Sequence, residues 1–216
     1  MKIRLSELRR LIREVVGGDD LALLVRRPNA KKIMVCLYSA KAVKENLDAV
    51  ASLVESGMDG GEVSGVIVGV AGYSKPDLPC HGAWGVSSIA GVGYGRILYG
   101  LGYNLTPNGR LMPDRFDNTP MAVAAWKKAA GKLTKIPFED EEDCELIRPI
   151  RRGGPDPLLD AAYEGGGLDP SEISRMEAKH KEVVELLRTV GVSESAWSEW
   201  LKFQSMQFFG TARTGG

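Results

Sequence analysis

Between residues 91 and 95 the chain reads Gly-Val-Gly-Tyr-Gly, which sets Gly91, Gly93 and Gly95 within five positions and directly ahead of Arg96. An apolar run, Ala83 to Ile89, precedes the glycines, and a helix-forming run, Arg96 to Tyr103, follows them. A strand that enters glycines and then a helix leaves unbonded N–H groups at the helix start, where the dipole also favours an anion. Glycine lets the backbone approach a phosphate that a side chain would hold off. The chemistry this pattern suits is the binding of a phosphate or pyrophosphate. It is not a Walker loop, because no Gly-Lys-Ser/Thr follows. It fits a dinucleotide fingerprint poorly, since it lies late in the chain and no acidic residue ends a following strand at the usual distance.

Other reactive side chains are sparser. Cys80-His81 precedes the apolar run and reads as a weak candidate nucleophile or metal ligand. The only histidines are His81 and His180, so one chain cannot supply three to a metal. The run Glu139, Asp140, Glu141, Glu142, Asp143 reads as a solvated loop. Trp197, Trp200, Phe203, Phe208 and Phe209 read as the buried face of a C-terminal helical hairpin, or as a partner-binding surface if the chain leaves them uncovered.

The elements that must position the glycine turn follow from periodicity. Residues 3 to 16 carry Leu5, Leu8, Leu11, Ile12, Val15 and Val16 at helical spacing, with Gly17-Gly18 as a stop. Strands are expected at Leu21 to Arg27, Lys32 to Tyr38, Glu62 to Ala71 and Ala83 to Ile89. One helix is expected over Lys41 to Ser56, on the stripe Val43, Leu47, Val50, Leu53 and Val54. A short strand at Arg110 to Pro113 precedes a helix from Thr119 to Ala130, with Pro120 in its first turn. Residues 151 to 170 are rich in glycine and proline and read as a linker. Two helices, Ser171 to Thr189 and Ser193 to Phe208, follow. The organisation is thus a leader-like helix (1–20), an α/β domain (21–150), and a linker with a helical tail (151–216).

The bulk composition narrows the function classes. The 216 residues balance 28 Lys and Arg against 28 Asp and Glu, so no global field draws the chain to nucleic acid or an anionic surface. No stretch reaches the ~20 apolar residues of a membrane span. Three scattered cysteines, Cys36, Cys80 and Cys144, argue against a disulfide framework and for a reducing, cytoplasmic compartment.

The order of strand, strand, glycine turn with helix, short strand, and helix closed by Gly131 resembles the GNAT acetyltransferase superfamily over about residues 62 to 138. That family carries Gln/Arg-x-x-Gly-x-Gly/Ala after its fourth strand. Here the two glycines match at Gly93 and Gly95, while Ala90 takes the first position. The family's later Asn, Ala, Tyr and Gly-Phe are echoed by Asn118, Ala122, Trp126 and Gly131 with altered spacing. The segment is also similar to GNAT-related bacteriophage proteins, through Gly93-Tyr94-Gly95, Leu98-Tyr99 and Met112-Pro113-Asp114-Arg115. The Leu8 to Glu14 stretch is similar to leader segments on some phage-encoded proteins.

The resemblance implies a mixed central sheet flanked by helices, and acetyl-coenzyme A as cofactor. It implies pyrophosphate on Gly91, Gly93, Tyr94, Gly95 and Arg96, and the thioester arm along Val86, Ser87 and Ser88. The substrate would be a small-molecule or protein amine. Trp126 stands where many family members carry a tyrosine acid, and an indole cannot serve. The resemblance therefore moves that role to Tyr94, Tyr99 or Tyr103, and the base to Asp114 or Asp117. The alternative is a catalytically inactive GNAT-shaped structural or interaction protein, virion-associated if phage-encoded, docking through the Met1–Val16 helix or the aromatic tail.

Overall fold

A computed structural model describes residues 20–57, 65–76, 80–91, 93–113, 120–137, 158 and 160–214. The expected leader helix, and the acidic run after residue 138, lie outside these. In chain order the elements are β1 (Leu21–Asn29), β2 (Lys32–Ser39), α1 (Ala40–Glu45), α2 (Leu47–Ser56), β3 (Ile67–Ser74) and β4 (Trp84–Ala90). Then come α3 (Gly95–Leu105), β5 (Arg110–Met112), α4 (Pro120–Ala130), β6 (Thr134–Pro137), β7 (Ala161–Glu164), α5 (Pro170–Thr189) and α6 (Glu194–Thr214).

The strands form one mixed sheet in the order β1-β2-β3-β4-β5-β7-β6. All neighbours are antiparallel except β4 and β5, which run parallel with α3 as the crossover between them. The α/β class and the sheet flanked by helices agree with the expectation from sequence.

Side-chain alternation explains why both faces need helices. Leu21 and Leu23 of β1, Ile33, Val35 and Leu37 of β2, and Ala71 and Tyr73 of β3 enter one core. There they meet Leu98 and Leu101 of α3 and Trp126 of α4. The intervening Ala22, Cys36, Tyr38 and Val70 enter a second core on the opposite face. That core is completed by Val43 of α1, by Val50 and Val54 of α2, and by Trp197, Trp200 and Leu201 of α6. Helix α5 takes part in both: Met176 joins the first core, and Val183, Val184 and Leu187 join the second. It packs along β1, the outermost strand on that side.

Several expectations are corrected. The stretch 151–170 is not simply a linker, because Ala161–Glu164 forms β7, inserted between β5 and β6 with Ala161, Ala162 and Tyr163 buried. The C-terminal helices are not an appendage either, since their apolar residues complete both cores. The helix expected over Lys41 to Ser56 breaks at Asn46, whose side-chain amide donates to the Ala42 carbonyl at 2.9 Å. Strand β3 runs from Ile67 to Ser74, and the expected start at Glu62 lies outside the described residues. Strand β6 had not been anticipated. Cys36 is a buried free thiol, but Cys80 is disulfide-bonded, which overturns the reading of the cysteines as unpaired. A disulfide also removes the cysteine-based argument for a reducing compartment. Among the described residues no helix is long and apolar enough to cross a membrane.

Candidate functional site

The parallel β4–β5 pair is short. Trp84 pairs with Leu111 and Gly85 with Met112, and there β5 ends. Strand β4 continues to Ala90, held on its other side by β3 through Val86↔Tyr73, Ser88↔Gly72, Ile89↔Ala71 and Ala90↔Val70. Among the described residues no strand pairs with the β5-side edge of β4 beyond Gly85. The register with β3 shifts between Gly72 and Tyr73, leaving Ser87 as an extra residue on β4. Such a bulge re-aims the local N–H and C=O groups and sharpens the twist.

Beyond Ala90 the three glycines divide into two kinds. Gly91 has φ +146°, and a Cβ there would lie 2.9 Å from both the Gly69 Cα and the Val68 carbonyl oxygen. It is a packing glycine, where the turn presses on β3. Gly93, with φ +90°, and Gly95 are different, because a Cβ at either would meet nothing within 4 Å. Among the described residues the space in front of them is open. The turn closes when the Tyr94 N–H donates to the Gly91 carbonyl at 3.3 Å, and α3 begins when the Leu98 N–H donates to the Tyr94 carbonyl at 3.0 Å.

Tyr94 is the N-cap residue of α3 and makes no side-chain cap. Its ring turns inward and is only 6% exposed, so it does not fill the turn. The N–H groups of the first helical turn point along the axis without helical acceptors. The first turn carries no acidic residue, and Arg96 stands there, exposed and without an ion pair among the described residues. Backbone donors, dipole and guanidinium thus favour the same sign of ligand charge.

The other sequence-predicted residues are placed as follows. Val86 is buried, and Ser87 is half-buried at the bulge. Ser88 lies on β4 opposite Gly72. Tyr103 sits nine residues after Tyr94, about 13 Å along the helix axis. It is 6% exposed, and its hydroxyl, raised in pKa by burial, has no hydrogen-bond partner among the described residues. It faces β7 and the chain beyond, since a Cβ on Gly166 would lie 2.4 Å from its ring. Tyr94 and Tyr103 are therefore not brought together. Burial pushes the Tyr99 hydroxyl up to about 12, and its ring meets Trp126 edge-on at 5.1 Å. Trp126 is 1% exposed and lies in the core. Asp114, Asp117 and Asn118 lie outside the described residues.

Cys80 and His81 serve the scaffold. The Cys80 sulfur is committed to its disulfide. His81 adopts φ +49°, and its Nε2 lies 3.0 Å from the Pro137 carbonyl oxygen. Arg110 donates from Nη1 to the His81 carbonyl at 3.0 Å and from Nε to Glu164 at 2.8 Å. One arginine thereby ties the entry of β4 to β5 and β7. Among the described residues no three or more His, Cys, Asp or Glu side chains gather as metal ligands. An open depression of about 610 Å³ lies at the α5–α6 turn, where Arg188 is engaged by Glu185 and Glu194.

Sequence reasoning missed the bulge and the packing role of Gly91. The available signal was glycine inside β3, at Gly69 and Gly72, since glycine within a strand marks a bulge or a close backbone approach. Comparison with protein-family models, curated proteins and solved structures returned no match.

Proposed function

We infer that the chain binds an acyl-coenzyme A and transfers the acyl group to an amine. The observation that carries this reading is that β4 parts from β5 after Gly85 and runs, with an edge unpaired among the described residues, into the turn at Gly93 and Gly95, which those residues leave open. A free strand edge can hydrogen-bond the amides of a pantetheine arm, as it would another strand. The turn and the first N–H groups of α3 suit the pyrophosphate, with Arg96 beside it. The backbone N–H groups around the Ser87 bulge would polarise the thioester carbonyl. The amine nitrogen would attack that carbon, the C–S bond would break, and the coenzyme would leave as the thiolate. The proton shed by the amine would pass to a base or to water.

A second reading has its own support. Trp126, Tyr94 and Tyr103 are all buried, so none of these rings offers an acid at the open edge of β4. On that reading the chain is a GNAT-shaped binding or structural component that holds a phosphate-bearing ligand, or a protein partner, without transfer.

Isothermal titration with acetyl-coenzyme A, beside Gly93→Glu and Arg96→Glu variants, tests the first reading. Micromolar binding, lost in the first variant and weakened at least tenfold in the second, supports it. A folded wild type that binds no coenzyme overturns it. Binding without acyl transfer to any amine in a broad acceptor panel favours the second reading.

A further inference from the structure

A polar contact spans the second core. The Tyr38 hydroxyl of β2 lies 2.7 Å from Nδ1 of His180 on α5. The tyrosine ring meets the His180 ring edge-on at 5.9 Å and the Trp197 ring of α6 edge-on at 5.5 Å. Trp197 in turn stacks on Trp200 at 5.2 Å, with the planes 14° apart. The phenol–imidazole hydrogen bond thus joins the sheet to α5 beside the rings of α6, which Arg26 of β1 also holds through the Ser198 carbonyl at 3.0 Å and Glu199 at 2.6 Å. Burial raises the pKa of the phenol, so it keeps its proton, and with the Nε2–H tautomer of His180 it donates that proton to Nδ1. The histidine must then be neutral, with its own proton on Nε2.

We propose that the Tyr38–His180 contact is an acid-sensitive latch, which holds the α5–α6 hairpin on the sheet at neutral pH and loosens it when His180 takes a second proton. Protonated Nδ1 cannot accept. The phenol must turn round to accept, and among the described residues its own proton then faces aromatic rings rather than another hydrogen-bonding acceptor. A charge also enters a half-buried position.

The charged groups around the contact leave this balance to His180. Lys44 of α1 and Lys179 of α5 are both taken up by Glu182, at 3.6 and 2.8 Å. Glu194 of α6 favours the imidazolium, but it also pairs with Arg188 at 2.9 Å. On β2, Cys36 is a buried thiol and carries no charge near neutrality. On β1 the residue opposite Tyr38 is Ala22. Desolvation outweighs the pull of Glu194, so His180 lies below the usual histidine pKa of 6.5.

The sign follows from linkage. The unfolded chain takes up the proton more readily than the folded one, so the latch contributes fully above the ordinary pKa and is lost as pH falls through the folded value. Glu182 and Glu199 are also shifted down, which keeps their titration below this window.

The experiment is nuclear magnetic resonance titration of the intact chain, combined with amide hydrogen exchange of α6 corrected for intrinsic rates. With two histidines in the sequence, the His180 signals are assigned by comparison with a His180→Gln chain. The expected result is a His180 midpoint below 6.5 and a loss of at least tenfold in α6 protection between pH 7.5 and 5.0. In His180→Gln, whose amide oxygen still accepts from Tyr38, that loss is absent. Tyr38→Phe, which removes only a hydroxyl, raises the His180 midpoint and is read even if the glutamine variant folds poorly. A midpoint at or above 6.5, pH-independent α6 protection, or an unchanged midpoint in Tyr38→Phe overturns the proposal.

Discussion

Trp126 of α4 lies against Tyr163 of β7, with ring centroids 5.2 Å apart and planes tilted by 30°. The residue standing where the resemblance called for a catalytic tyrosine is thus the bridge between a helix and the strand inserted beside β5. Its other side meets Tyr99 of α3. Trp126→Ala is expected to cost roughly 3–5 kcal/mol, as for other large-to-small aromatic truncations in cores. Urea unfolding measures it, and a loss below about 1 kcal/mol would show that the ring packs loosely.

The three glycines of the turn should separate in their cost. Gly91→Ala puts a Cβ 2.9 Å from backbone on β3 at a φ of +146°, so it is expected to destabilise by at least about 2 kcal/mol. Gly95→Ala meets nothing among the described residues and opens a helix, so its effect should stay within about 1 kcal/mol and lean towards stabilising. Thermal melts of the two variants check the ordering. Equal losses would undo the distinction between a packing glycine and two open ones.

Tyr103→Phe removes a buried hydroxyl that has no partner among the described residues. The change is expected to range from neutral to a gain of about 1 kcal/mol. Ligand binding at the glycine turn should not change, because the residue lies at the far end of α3. A clear loss of stability would reveal a hydrogen bond to a buried water or to another group.

Cys36 is expected to resist alkylation in the folded chain. Burial pushes its thiol from the ordinary 9.0 up to about 12, against a smaller lowering by a Ser205 hydrogen bond. At pH 8 the thiol therefore keeps its proton, and the side chain is buried as well. Labelling should track unfolding and rise sharply in denaturant. The linkage has the opposite sign to that of His180. The folded chain keeps a proton that the unfolded chain releases near 9, so stability falls as pH climbs from about 9 towards 12. Rapid labelling at pH 8 without denaturant would show that α6 leaves Cys36 open.

Much of the sheet was legible because its strands are apolar on both faces. The run Ile33-Met34-Val35-Cys36-Leu37 reads as a buried strand from composition alone. The glycine turn was legible too, as a strand followed by Gly91, Gly93 and Gly95 and then a helix. What was not legible depends on partners distant in sequence. Ala161-Ala162-Tyr163-Glu164 has weak strand propensity and stands in a glycine-rich stretch. It becomes a strand because β5 and β6 offer edges on both sides. The burial of Tyr94 and Trp126 was equally hidden, since a ring's periodicity does not say whether it faces a cleft or a core.

Helix α5 reaches from the first core into the second along the outer strand β1. A chain made from its N-terminus therefore emerges with strands 1 to 4 complete long before the segment that covers them. Until about residue 201 has left the ribosome, Ala22, Tyr38 and Val50 lack Trp197 and Leu201 above them, and the edge of β1 is bare. Bare edges and half-covered sheets recruit other strands. The order of synthesis thus sets a period of exposure that ends only when the final helices arrive. A chain stopped at residue 160 should accumulate as aggregate or as a chaperone-bound species rather than as a smaller folded domain.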